Sequence, residues 1–315
     1  MTFGDTMSYQ ALTYKLTSLK RRLKAAKESF LSPECSAEID PNKTIKPLDI
    51  QPDIQLVKPG QLLEGKTILL TGAGQNIGRS IAIECVQQGA IVYYLEKDAI
   101  LAQQTEQILS ELGNVGRGFV CDITCRQEVD KALTLMKEMN VKLDVLVNNV
   151  GIHLPTSIYE LDLQKWEKSY QTNVFSAVYL THVVSQTMVQ QKVTGNFIFL
   201  SSIHQKIPIG CAGYSSSKAA IGMMIEELAI ELAPFGIRVN GIAPGWTGVD
   251  EEGHPYPDRR GHLHQTSIPP QYIGRAAVYL ASDYYSQYTT GTVLKVDSGL
   301  SLMHRAVPMP QGGRS

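Results

Sequence analysis

Thr67-Ile68-Leu69-Leu70-Thr71-Gly72-Ala73-Gly74-Gln75-Asn76-Ile77-Gly78-Arg79 is the stretch on which the reading of the fold turns. A short apolar run passes into a glycine-rich turn, and Ile81, Ala82, Cys85 and Val86 then recur at helical spacing. Strand, turn and helix N-terminus together let a backbone come close to a pyrophosphate and aim free N–H groups at it. Glycines alone would say little; the strand before and the helix after make a dinucleotide loop of them. Gly72, Gln75, Asn76, Ile77 and Gly78 are the candidate contacts.

Further along, Tyr93-Tyr94-Leu95-Glu96 ends a second apolar run some distance past the loop. There an acidic side chain accepts hydrogen bonds from an adenosine ribose and repels a 2′-phosphate. Glu96 therefore favours NAD, with NADP as the alternative, because Lys97 and Arg79 can soften the discrimination. Asp122 and Ile123 follow the third run. Asp122 suits either the adenine edge or a plain turn or helix cap.

Apolar runs at Thr67–Leu70, Ile91–Leu95, Gly118–Cys121, Val145–Asn148, Asn196–Leu200, Arg238–Ile242 and Val293–Val296 alternate with helix-length amphipathic segments. Runs without strict polar alternation are strands covered on both faces. The expected fold is α/β, a Rossmann-type doubly wound parallel sheet of seven strands in three αβα layers. Residues 61–315 would form this catalytic domain, and residues 1–60 an extension. In the extension, Leu12, Leu16, Leu19, Leu23, Ala26 and Phe30 share one face of a basic amphipathic helix, followed by a Pro-rich linker.

Composition narrows the functions. With 29 Lys+Arg against 30 Asp+Glu, the chain lacks the basic excess that nucleic acid binding requires. Apolar runs stay too short to span a bilayer. Cys121 and Cys125 lack zinc or redox spacing, and five cysteines is an odd number, so reduced thiols in a cytoplasmic setting are expected.

Chemistry concentrates at Tyr214-Ser215-Ser216-Ser217-Lys218, where Tyr214 and Lys218 lie one helical turn apart. Moving a hydride to or from a carbinol carbon needs proton exchange at its oxygen, and a free tyrosine is a poor base at neutral pH. A neighbouring ammonium favours the phenolate, so Lys218 is expected to lower the Tyr214 pKa.

Together with Thr71-Gly72-xxx-Asn76-Ile77-Gly78, Asn148-Asn149-Val150-Gly151, Pro244-Gly245 and Val296-Asp297-Ser298-Gly299, this segment resembles the short-chain dehydrogenase/reductase family, in its single-domain branch. The likeness runs from Leu62 to about Leu302. Asn76 stands where the family has a glycine, and Asn tolerates positive φ, so the turn is expected to survive. The resemblance implies that Asn149 and Gly151 brace the sheet beside the cofactor, and that Pro244, Gly245 and Thr247 contact the nicotinamide. It implies a catalytic set of Asn173, Ser202, Tyr214 and Lys218, with Tyr214 and Lys218 also touching the cofactor. Ser202 is preferred over Ser201 by the Ser-Ser-hydrophobic pattern, and Asn173 would hold a water linking Lys218 to solvent.

The function expected is NAD(P)-dependent hydride transfer between nicotinamide and a secondary alcohol or ketone. The polar segment after Trp246 reads as a mobile lid and favours a sugar, polyol or hydroxy acid. The alternatives are an NADP-dependent 3-oxoacyl-type keto-reductase and, in another class, a non-catalytic NAD(H)-binding regulator or scaffold. Expected partners are a small-molecule substrate and further copies of the chain in a homodimer or homotetramer. His254, His262 and His264 are expected to hold no metal, for want of a carboxylate or Cys set to complete a site. His153 and His204 could line the pocket or bond locally.

Overall fold

A computed structural model describes residues 60–257 and 263–302, and the expected helix and linker of the extension lie outside them. The strands are β1 (Thr67–Thr71), β2 (Ile91–Glu96), β3 (Gly118–Val120), β4 (Val145–Asn148), β5 (Asn196–Leu200), β6 (Arg238–Pro244) and β7 (Val293–Val296). All pair in parallel, in the order β3-β2-β1-β4-β5-β6-β7. The helices are α1 (Asn76–Gln87), α2 (Ala99–Glu111), α3 (Arg126–Glu138), α4 (Leu163–Tyr170), α5 (Ser176–Gln191), α6 (Ala212–Leu232), α7 (Pro270–Ala281) and the short α8 (Asp283–Ser286). A π-helical turn, Gln171–Phe175, joins α4 to α5. This is the expected doubly wound Rossmann-type sheet.

Both faces of the sheet are buried because successive strand residues point to opposite sides. Ile68 and Leu70 join Ile81 of α1 and Ile273 of α7 in one core, while Leu69 between them joins Leu180 of α5 and Ile221 of α6 in the other. The winding reverses between β1 and β4, and the crevice beyond their carboxyl ends is where such sheets bind ligands.

Four strand ends differ from the sequence reading: β1 and β2 each run one residue further, to Thr71 and Glu96, and β3 and β6 differ as follows. β3 stops at Val120, although the Cys121 N–H still donates to Glu96 O at 2.9 Å. β6 continues through Pro244, which pairs with Val296 at the last ladder position. A proline at that end interrupts no further rung, and the next N–H, of Gly245, donates to Val296 O at 2.9 Å.

Candidate active site

The glycine loop is held from the end of β4. Thr71 Oγ1 accepts from the N–H groups of Asn149 (2.9 Å) and Val150 (3.1 Å), and Asn149 Nδ2 donates to Thr71 O (2.9 Å) and Gly72 O (3.0 Å). Gly72 sits at φ +69° and Asn76 at φ +47°, so Asn76 takes the left-handed conformation that the turn demands. A Cβ on Gly72 would lie 2.7 Å from Val150 Cγ2, and one on Gly78 would collide with Gly72 O. The loop floor admits only hydrogen, and the N-terminus of α1 has no side-chain cap. These features fit a dinucleotide pyrophosphate.

Glu96 ends β2 and is buried. Its carboxylate accepts from Gly74 N–H at 2.8 Å and Asp98 N–H at 3.1 Å, which ties it to the loop. Arg79 is engaged on the other side of that loop: Nη2 donates to Gly74 O and to Gln104 Oε1 (3.2 Å), and Nε to Thr105 Oγ1 (3.2 Å). Asp122 Oδ1 accepts from the N–H (2.9 Å) and hydroxyl (2.7 Å) of Thr124, so it shapes its own turn while facing the cleft. Burial alone would raise its pKa, but the Thr124 hydrogen bonds and the charges of Lys97 and Lys168 hold it below the ordinary carboxylate range.

A cleft of about 1220 Å³ runs along Gly72, Gln75, Asn76, Ile77, Gly78, Glu96, Asp122 and Ile123. A second, of about 700 Å³, contains Ser202, Tyr214, Lys218, Pro244, Gly245 and Thr247. Asn76, Ile77, Asn149, Gly151 and Ile152 line both, so the phosphate loop leads directly to the phenol.

At that end the buried Lys218 donates from Nζ to Leu200 O at 2.7 Å, and desolvation brings its pKa down to about 8. Its Nζ stands 5.9 Å from the Tyr214 ring centroid. The expected priming of the phenol by this ammonium is not what sets the pKa: burial pushes Tyr214 above its ordinary value, partly opposed by a hydrogen bond from Ser202. Burial penalises phenolate and ammonium alike.

The two serines separate clearly. Ser201 Oγ turns inward, 3.1 Å from Lys218 O and 3.2 Å from Gln205 Oε1. Ser202 caps the short turn Ile203–Gln205 by accepting from His204 N–H at 3.2 Å, and it lines the second cleft with Tyr214, whose pKa it acts to lower. Asn173 lies buried in the π-helical turn and lines neither cleft. Its Oδ1 accepts from Ile152 N–H (2.7 Å), and its Nδ2 donates to Ile152 O (3.0 Å) and Ser217 Oγ (2.9 Å).

Sequence reasoning missed two residues. Ser217 links Asn173 to the Tyr214 carbonyl, donating to it at 2.7 Å; it sits one turn from Tyr214, but three consecutive serines hid it. Thr156 Oγ1 accepts from Gly213 N–H at 3.0 Å, capping α6 from a loop distant in sequence, where no local signal exists. His153 and His204 both line the second cleft, and His204 also bonds locally, its Nδ1 lying 3.0 Å from Ile207 O.

The described parts of the lid segment are stitched together by bridges Thr247↔Ile268, Val249↔Pro255 and Pro257↔Thr266, and Trp246 stacks on Tyr256 at 6.0 Å. His262 lies outside the described residues. The premise that no carboxylates accompany the lid histidines is corrected by the fold: ligand atoms of Asp250, Glu252 and His254 lie within 4.8 Å of one another. A local turn accounts for this, since Asp250 Oδ1 accepts from the N–H groups of Glu252 (3.1 Å) and His254 (2.7 Å).

The family pattern described as short chain dehydrogenase matches residues 66–255. The chain is 32% identical over 250 residues to the 3beta-hydroxysteroid dehydrogenase 1 of Eggerthella lenta, covering 76% of this chain and 95% of that one. It is 30% identical over 249 residues to the glucose 1-dehydrogenase 2 of Bacillus subtilis, covering 76% and 96%. A solved 7 alpha-hydroxysteroid dehydrogenase, complexed with NADH and 7-oxo glycochenodeoxycholic acid, superposes with a TM-score of 0.67 at 30% identity, covering 77% of this chain and 97% of that one. The chain belongs to the short-chain dehydrogenase/reductase family, NAD(P)-dependent oxidoreductases that act on secondary alcohols and ketones.

Proposed function

We propose that this chain interconverts a polar secondary alcohol and its ketone with NAD as the preferred cofactor. The observation that carries the reading is the meeting of Ser202, Tyr214 and Lys218 at the point where the phosphate-loop cleft opens into the second cavity. Bound across both clefts, the nicotinamide would supply the hydride donor or acceptor. Gly72, Gln75, Asn76, Ile77 and Gly78 would hold the pyrophosphate, Glu96 the adenosine ribose, Asp122 and Ile123 the adenine side, and Asn149, Gly151, Pro244, Gly245 and Thr247 the nicotinamide side. Tyr214 exchanges the proton at the substrate oxygen and Ser202 steadies that oxygen. A Lys218 pKa of about 8 suits a proton relay near neutral pH better than a fixed charge would. Asn173 sets Ile152 and Ser217 around this relay, and holds the water that links Lys218 to solvent.

NAD preference is supported by a buried Glu96 and by an Arg79 already engaged with α2 and the loop. A polar substrate is supported by the polar segment after Trp246. Exposed Phe175 and Val178 beside α4 and α5, and Met223 and Ile230 on α6, support a homodimer or homotetramer. Among the described residues no helix is long and apolar enough to cross a membrane. Four free thiols there support a cytoplasmic setting. The test is a substrate panel with purified protein, followed by nicotinamide absorbance with NAD and NADP. Reduction of NAD by polar alcohols supports the reading; tight NADH binding with no turnover of any alcohol overturns it.

A further inference from the structure

Two imidazoles meet the phenol in the second cavity, and they are held differently. His153 contacts Tyr214 edge-on with ring centroids 4.9 Å apart, and His204 does so at 6.2 Å. His204 Nδ1 lies 3.0 Å from Ile207 O. A carbonyl only accepts, so this nitrogen carries the proton and the ring is oriented by its own loop.

His153 is oriented from behind. Asn173 grips both backbone groups of the preceding Ile152, at 2.7 and 3.0 Å, which fixes where the chain delivers His153 without using the imidazole. Among the described residues the His153 ring contacts Tyr214 and makes no hydrogen bond, and it faces the cavity. The wall nearby is apolar, with Ile203, Ile207, Ile209 and Leu300, and among the described residues no carboxylate lines the cavity. Of its other polar side chains, Asn76, Asn149 and Thr247 belong to the side assigned to the cofactor, which leaves the neighbourhood of the phenol for polar recognition of the substrate. Oxygens on adjacent carbons lie about a hydrogen bond's length apart, and the His153 ring stands 4.9 Å from the ring of Tyr214, which would meet the reacting oxygen.

We propose that His153 is a specificity-determining residue that binds an oxygen on the carbon next to the reacting one, making the substrate a 1,2-diol, a 2-hydroxy ketone or a 2-hydroxy acid rather than an isolated alcohol. This rests on the reading of Tyr214 as the proton-exchanging group. An apolar side chain at position 153 would leave the second oxygen desolvated and unpaired, whereas an amide would still pair with it.

The experiment compares kcat/KM for matched pairs, cyclohexane-1,2-diol against cyclohexanol and butane-2,3-diol against butan-2-ol, in wild type, His153→Phe and His153→Gln. The expected result is a wild-type preference for the diols that falls about tenfold in His153→Phe and is largely kept in His153→Gln. A diol-to-alcohol ratio that is the same in all three proteins overturns the proposal, as does an equal loss on both members of a pair, which would make His153 structural. Tyr214→Phe is run alongside. If oxidation survives in that variant, the reading of the site fails and the proposal with it; if oxidation is Tyr214-dependent but the ratio is flat, only the proposal fails.

Discussion

The side chain of Asn173 bonds both backbone groups of Ile152, accepting its N–H at 2.7 Å and donating to its carbonyl at 3.0 Å. With its third bond to Ser217, this one amide joins the loop after β4 to the turn that carries Tyr214. Asn173→Ala should leave the Ile152 N–H unpaired and cost about 2–3 kcal/mol of stability. It should also lower kcat more than cofactor affinity, because Ile152 borders both clefts. Urea denaturation together with steady-state kinetics checks this; unchanged kcat would show that the bridge only supports the fold.

Ser201 and Ser202 are adjacent but do different things. Ser202→Ala removes the hydroxyl that shares the cleft with Tyr214 and should reduce kcat about 100-fold, with a loss of about 1 kcal/mol of stability from the missing His204 cap. Ser201→Ala removes an inward bond to Lys218 O and should cost about 1 kcal/mol with only a small change in kcat. Side-by-side kinetics and thermal melts of the two variants separate these roles, and equal kinetic losses would contradict them.

Glu96→Ala deletes the acceptor for the Gly74 and Asp98 N–H groups as well as the carboxylate that would meet the ribose. The expected outcome is a rise of about tenfold in KM for NAD and a smaller change for NADP, which narrows the preference between them. KM values for both cofactors decide it; a parallel rise in the two would reduce Glu96 to a brace for the loop.

Lys218 gives the pH prediction. Its folded pKa, brought down by burial to about 8, lies below the ordinary lysine value of 10.5. Below pH 8 the ammonium is charged in both states and its desolvation opposes folding in full. Between the two values the folded chain sheds this proton while the unfolded chain keeps it, so stability rises with pH, by about 3 kcal/mol across the window. Denaturation of wild type and Lys218→Met from pH 7.5 to 10 should show the wild type gaining on the variant. A difference independent of pH would contradict it.

Much of this was legible because the decisive signals are local. Strands such as Asn196–Leu200, buried along their whole length, read as continuous apolar runs, and Asn76 could be trusted in a left-handed turn from its side chain alone. The sequence pattern ends β6 at Ile242, and only the pairing of Ala243 and Pro244 with β7 shows that the ladder continues. Spacing puts Lys218 one turn from Tyr214, but where its Nζ points is a tertiary quantity: it reaches Leu200 O. Thr156 capping Gly213 and Asn173 gripping Ile152 are long-range bonds for which the sequence holds no pattern.

The most direct measurement is turnover and NADH binding by Tyr214→Phe, with a substrate that the wild type oxidises. If the phenol exchanges the proton at the substrate oxygen, NADH affinity should stay within about twofold while kcat falls by about 1000-fold or more. A kcat within tenfold of wild type, with the cofactor still bound, would place the chemistry elsewhere.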